Sequence, residues 1–597
     1  MRRRVLPTIE SKPIPAPMGG INAVDPLTAM PVTDARSLVN LVAKQSGLQT
    51  RTGSEEWCTG LTGASDNMVR TTMTFTGNSS TKVFGCTSKG IYDVTDSSTA
   101  PSRLVTFGTQ TGDAGWGVWW VATTPAGRYL VYCDEENGLY YWSESGSAWV
   151  QPVSGVTQAW AAQTAYAVGN QVVLGGNTYV CTTAGTSGTT GPTGTGTGKT
   201  DGTVVWTGSA GVTANAIGPS LADQNLGYTA NPANFVAGCN WKGRPFLVER
   251  GTSRAWYLDT NALFGTATSF DFGSRMRAGG PLRGLWNWSY DGGSGIDTLL
   301  VGISGAGDVV IYEGVNPNSA NTFELKGCWS LGAVPYGRRI ATDFGGELLA
   351  LSMLGVVPLS KLVLGDSSLD LKQYATSKVG PLFAALAASV GSLPGWALDI
   401  HPADNALLVL VPTAAGANTT QLAMSFQTKG WSQYADLPML SGAVLNGDFY
   451  FGSADGRVLK STGAVDGVTL ANPGAYSPIQ CSGLTASQNL GNTRNKQIQM
   501  VRPVVLSGLA SPYVEVVAKY GLDSTAIPQP STPGTSGAGW DSGLWDLAVW
   551  GGDSSPSQIL SGTTGMGRDA ALAFRFAATT PTTLVGFDVL FTQGGLL

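Results

Sequence analysis

Charge is scarce in this sequence. Lys, Arg, Asp and Glu make up 13% of 597 residues, and the formal balance is −5, where about a quarter charged is usual for a globular chain. No basic block extends beyond Arg2-Arg3-Arg4, which argues against tight or sequence-specific binding of nucleic acid. A duplex could still pass such a surface without sticking. Histidine is scarcer still: His401 is the sole one, so metal sites built on two or three histidines cannot form. The seven cysteines, at 58, 86, 133, 181, 239, 328 and 481, are scattered and contain no C-x-x-C pair. That argues against a cysteine zinc site and against a disulfide framework; Cys133 and Cys181 read as small strand hydrophobes. No apolar run reaches the roughly 18 residues of a membrane span. After Met1-Arg2-Arg3-Arg4 come Glu10, Lys12 and prolines 7, 13, 15 and 17 in place of an apolar signal region, so synthesis and folding in a cytosol are expected.

What is abundant is glycine and aromatic surface: 81 Gly and 18 each of Trp, Tyr and Phe, with 42% hydrophobic residues. The aromatics exclude a disordered chain, and the glycines lack the three-residue period of collagen. Glycine at corners with Thr, Val and aromatics between them describes a large, turn-rich all-β protein. Its length implies about two to four domains.

A loose repeat supplies the organisation: an apolar strand, a Gly or Asx-Gly turn, then an apolar-aromatic strand. It recurs at 82–95, 128–143, 244–259, 297–314, 347–360, 405–426 and 448–462. Each instance has the period and turn chemistry of a hairpin, and seven hairpins about 50 residues apart predict a β-propeller; a stack of sandwiches would give a similar series, and the shared grammar favours the propeller. Residues 1–60 form a Pro-rich N-terminal arm and platform segment, 61–155 the first part of the propeller, 210–478 the rest, and 479–597 a C-terminal β platform domain. One helix is expected over 379–391, with Leu382, Phe383, Leu386 and Val390 on one face.

The regular spacing breaks over 156–209, which contains GPTGTGTGKTDGTVVW at 191–206. Gly198-Lys199-Thr200 imitates a phosphate loop, but Thr193 stands where its first glycine belongs. The β-branched run Thr203-Val204-Val205 follows where a helix should, so Lys199 is expected in a loop with no nucleotide. With Trp160, TAYAVGNQVV, YVCTTAGTSG and TDGTVVW, the segment resembles a small β module inserted in phage tail proteins and similar in look to chitin-binding modules. Trp160, Tyr166, Tyr179 and Trp206 are therefore candidates for a sugar-stacking platform. The same rings, Trp206 and Tyr179 ahead of Trp160 and Tyr166, are also candidates for the core of a module too small to fold without them.

Catalytic patterns are weak. Asp308, Asp448 and Asp455 fall at hairpin turns, where Asp serves backbone hydrogen bonds. SADGRVLKS only partly echoes the Asp-box of sialidase propellers, and a Ser-His-Asp triad would depend on His401 in HPADN. No D-x-D-x-D-G calcium loop occurs.

The two ends carry a family resemblance. GGINAVDPLTAMPVTDA (19–35), NKQIQMVRPVVLSG (495–508), SGLWDLAVWGG (542–552) and the closing FDVLFTQGGLL resemble the tail nozzle, or tail tubular protein B, family of short-tailed bacteriophages. The resemblance implies a hexameric ring in the virion tail, made in the host cytoplasm. The ring would sit below the adaptor ring, with tail fibres or spikes as neighbours and genomic DNA passing through its lumen. It implies no catalytic residues, cofactor or metal. Trp540, Trp545 and Trp550 are expected at an interface, and host surface glycan is a further expected partner. The alternative is a carbohydrate-active propeller with an accessory binding module.

Overall fold

The computed structural model describes residues 9–291, 296–319, 321–364, 374–413, 419–491, 493–508, 512–521, 523, 555–557 and 560–594. All seven expected hairpins are present, each in a separate sheet. Four of the chain's two-residue turns, Gly175-Gly176, Lys242-Gly243, Gly345-Gly346 and Asn446-Gly447, have both residues at positive φ. This is the backbone twist that joins two right-twisted strands with least strain.

The innermost strands of the seven sheets are Thr71–Thr76, Gly117–Thr124, Phe235–Trp241, Leu282–Asp291, Ala341–Phe344, Ala397–His401 and Met439–Leu445. They stand side by side in a ring, the last against the first. Thr72 and Ser441 hydroxyls meet at 2.9 Å, and Thr74 Oγ1 donates to the Val444 carbonyl at 2.9 Å across that closing seam. The all-β fold is thus a propeller of seven blades. Most blades hold four strands. The fifth has three, with the short helix Leu359–Leu364 packed on them. The seventh takes its outer strand, Ser54–Cys58, from the N-terminal region, four hundred residues away in sequence. The core lies largely between blades: Phe75 and Phe84 of the first, for example, pack on Tyr132 and Trp142 of the second. Fully burying such a side chain is worth about 1.5–3 kcal/mol, so adjacent blades hold one another upright.

The second β domain joins both ends of the described chain. Thr582–Gln593 pairs with Ile9–Pro15 on one side and Lys496–Ser507 on the other. Asp34–Val39 bridges the outer strand of blade six, Trp431–Leu437, to Ser477–Thr485. The sheet continues into Ala570–Ala578 and Glu515–Tyr520. One hydrogen-bonded sheet therefore runs from blade six into the platform, and one core contains Leu38, Trp431, Phe574 and Phe587 together. The helix Gly380–Val390 forms as expected and buries Phe383 and Ala387, with Leu382, Leu386 and Val390 partly buried against the same core.

The inserted segment folds separately. Its four-stranded sheet runs Gln171–Leu174, Asn177–Thr183, Val204–Ala210, Gly196–Asp201 in space. Lys199 lies inside the last of these strands, paired with Trp206, and not in a loop. Entry and exit lie together: Val153 pairs in parallel with Ala216, and Ala216–Pro219 extends the outer edge of blade three.

Candidate functional site: the junction of propeller and platform

The motif GGINAVDPLTAMPVTDA folds into a tight knot. Asn22 accepts from the Val24 and Asp25 amides at 3.2 and 3.0 Å and donates to Asp25 and Asp34 at 2.9 Å each. Asp34 is 1% exposed and receives Lys378 Nζ at 2.9 Å on its other oxygen. A Cβ at Gly19 would stand 2.1 Å from Asp34 Oδ1, and one at Gly20 (φ +80) would stand 2.2 Å from Trp431 N. Both glycines are required where the knot presses on blade six. Leu27 and Met30 close against Leu484, Ala486, Ala571 and Ala573 of the platform.

A second network continues from the knot. Arg51, whose side chain is fully buried, binds Asn40 Oδ1 through Nε and Asp466 through Nη1, at 3.0 Å each. Asp404 receives the Thr52 hydroxyl at 2.6 Å and the Tyr434 hydroxyl at 2.7 Å. Burial, then the Asp404 charge, pushes the Tyr434 phenol far up. This network holds His401, with Nε2 2.8 Å from Ser461 Oγ and Nδ1 3.7 Å from Asp404 Oδ2. The residue types are those of a triad, but the hydrogen bonds are not. Nδ1 accepts the Asp404 backbone amide at 3.1 Å, so Nε2 must carry the proton and donate to Ser461, whose hydroxyl faces the Gly53 carbonyl at 3.3 Å. A general base needs the opposite tautomer. Burial also holds His401 below its ordinary value. The arrangement locks strand Ser54–Cys58 in place, and its hydrogen bonds are not those of a triad base. Sequence reasoning named His401 only as a weak triad candidate and missed the network: Asp404 stands three residues on in HPADN, but Thr52, which it binds, and Asp466, which Arg51 binds, lie hundreds of residues from their partners.

The propeller axis is plugged at the end where the innermost strands begin. Arg338 binds Glu135, and Arg339 donates to the Arg70 and Leu440 carbonyls at 3.2 and 3.4 Å. Trp116 lies within 5.9 Å of both Arg70 and Arg339. The Tyr336 hydroxyl meets Asp113 at 2.6 Å, and burial, with Asp113, raises it to about 12. The remaining cavity is about 20 Å³, room for about one water.

The insert rings fall otherwise than a stacking platform requires. Trp206, Tyr179 and Tyr166 are 0%, 1% and 3% exposed. Tyr166 packs edge-on against Trp206 at 4.9 Å. Their polar ends are engaged internally, Tyr166 with the Ala161 amide at 2.8 Å and Tyr179 with the Gly194 carbonyl at 3.1 Å. Trp160 is partly buried, its Nε1 donating to Asp201 Oδ2 at 2.8 Å, while Gly191 of the glycine loop lies against its ring. Trp206, Tyr179 and Tyr166 belong to the module's core, and Trp160 packs against it, partly buried. The physical reason is size: a module this small must bury its aromatics to enclose any core. The unforeseen residue is Asp201, which also takes Trp206 Nε1 at 3.2 Å and the Gly188 amide at 2.7 Å. Trp540, Trp545 and Trp550 lie outside the described residues.

No family model matches the chain, and no curated protein matches it. Among solved structures it is similar to the computationally designed Ika8 protein, at 11% identity and TM-score 0.31, covering 68% of this chain and 99% of that one. It is also similar to BamB from Moraxella catarrhalis, at 13% identity and TM-score 0.28, covering 71% and 94%. Likenesses at these TM-scores carry no weight, and the propeller assignment rests on strand order.

Proposed function

We propose that this chain is a nozzle subunit of a short phage tail, six copies forming a ring below the adaptor, through which genomic DNA is retained and then ejected. The observation that carries the reading is where the resembling stretches lie. Lys496–Ser507 and Thr582–Gln593, from two of the three C-terminal stretches, pair strand to strand. The 19–35 knot closes on the same platform through the Leu27 carbonyl and the Ser487 amide at 3.0 Å. Motif residues from distant parts of the sequence thus act together as architecture, as a tail component requires.

The plugged axis adds a constraint. With one end of the axis closed by Trp116, Arg338 and Arg339 around a cavity of about 20 Å³, a propeller offers a duplex no way through, and this reading routes the DNA between subunits. Head-to-tail contacts that close by rotation produce such a ring. Low charge suits a wall that must not hold phosphate. The reading is tested by immunogold labelling of particles from a phage that encodes the chain. Label at the tail is expected; label on the capsid, or none on intact particles, overturns it.

A further inference from the structure

Between the insert and blade three lies a cleft of about 400 Å³, within the usual size of small-ligand sites, about 300–1,000 Å³. One wall belongs to the insert and its entry strand, with Ser154, Thr157 and Gln171. The other follows the exit strand, with Gln224, Tyr228 and Thr229. No Asp, Glu, Lys, Arg or His lines it.

The walls are fixed to each other. Gln224 Oε1 accepts the Gln171 amide at 2.6 Å, and its Nε2 donates to the Gln171 carbonyl at 3.0 Å. Asn170 donates to Asn225 at 2.8 Å, and the Leu221 amide donates to Gln158 at 3.1 Å. Two of these contacts bond the helix Leu221–Asn225 directly to strand Gln171–Leu174, so the cleft has a set width. While Gln224 holds the walls, the side chains of Gln171, Tyr228 and Thr229 make no hydrogen bond among the described residues. Tyr228 is 37% exposed; one ring face is covered by the Arg254 guanidinium at 3.9 Å, itself neutralised by Glu249 at 2.7 Å and outside the cleft lining, which leaves the other face for a ligand.

An uncharged lining disfavours phosphates, nucleotides, acidic sugars and cations, which need a compensating charge. A purely apolar ligand would leave the amide and hydroxyl groups unpaired. Free amide and hydroxyl groups beside an exposed aromatic ring match a ligand with hydroxyls at its rim and C–H on its faces. We infer that this cleft binds a short neutral saccharide, with Gln171 and Thr229 bonding its hydroxyls and Tyr228 covering a ring face. The inference stands apart from the nozzle reading: either can hold without the other.

The test is saturation-transfer NMR and calorimetry on the full chain with maltotriose, cellotriose and chitotriose, and with sialyllactose as the acidic control. At least one neutral trisaccharide should bind, and Gln171→Ala and Tyr228→Ala should each weaken it tenfold or more. Both side chains line the cleft and are not core, so these variants should keep the wild-type melting temperature. Trp160→Phe, which removes the bond to Asp201 and trims a ring that lies outside the cleft lining, should leave affinity within about twofold. No binding of any neutral probe at about 10 mM would make the cleft a mere joint. Preference for sialyllactose, or binding that survives both substitutions, would equally overturn the assignment.

Discussion

The platform and the insert are both small β assemblies on one propeller, and they are attached in opposite ways. The platform draws strands from both ends of the described chain and shares a continuous sheet and core with blade six. The insert closes on itself, with Tyr166, Val172, Tyr179, Cys181, Val204 and Trp206 as its own core. It meets its host through a two-strand neck, a few amide hydrogen bonds and Leu221 packed on its core. Shared backbone and core make the platform cooperative with the propeller; a neck leaves the insert free to fold, or to be lost, alone.

The largest break in this comparison should come from Arg51→Met. It leaves Asp466 and Asn40 without their buried partner and frees the strand that closes the propeller. Removing one member of a buried pair costs about 3–5 kcal/mol, and urea melts should move to lower denaturant as one cooperative transition. A platform signal that shifts while the propeller signal stays put would refute the shared core. Trp206→Ala should cost a similar amount, about 3–5 kcal/mol, but locally. Limited proteolysis should then cut within 157–213 while the main thermal transition keeps its place; a shift of that transition would tie the insert to the propeller core.

Excision sharpens the point. Replacing 157–213 with a short Gly/Ser linker retains Val153–Ser154 and Ala216–Pro219, so the remaining melt should move by no more than about 2 °C. Insoluble product would show that blade three needs the insert.

A smaller effect concerns pH. Burial lowers the His401 value in the folded state, so the unfolded chain takes up this proton first as pH falls. The contribution is whole above the unfolded value of about 6.5 and is lost as pH drops through it toward the folded value, at about 1.4 kcal/mol per unit of difference. Between pH 7 and 5, His401→Gln should lose less stability than wild type; equal losses would mean the imidazole is not buried neutral. Least of all, ATP–Mg²⁺ should leave the melting temperature unchanged, because Lys199 is held in a strand. A shift abolished by Lys199→Ala would contradict this.

The seven hairpins were legible because their signal is local: alternation, then a turn residue that tolerates positive φ, as at Asn446-Gly447. The closing strand Ser54–Cys58 was not, since nothing in SEEWC names its partner Val458–Ser461. The insert's rings were visible but their burial was not. Trp206 and an exposed sugar-stacking tryptophan look alike in sequence, and only Asp201 and Tyr166 around it decide. The cleft was invisible for a related reason. Gln171 and Tyr228 are ordinary surface residues until the neck folds them face to face.

The most direct test of the nozzle account is an electron cryomicroscopy reconstruction of a virion carrying this chain, resolved well enough to count its copies. The account predicts six copies around the DNA exit path, platforms and propellers forming the wall and each propeller axis closed. A single copy, copies away from the exit path, or DNA threading a propeller's own axis would contradict it.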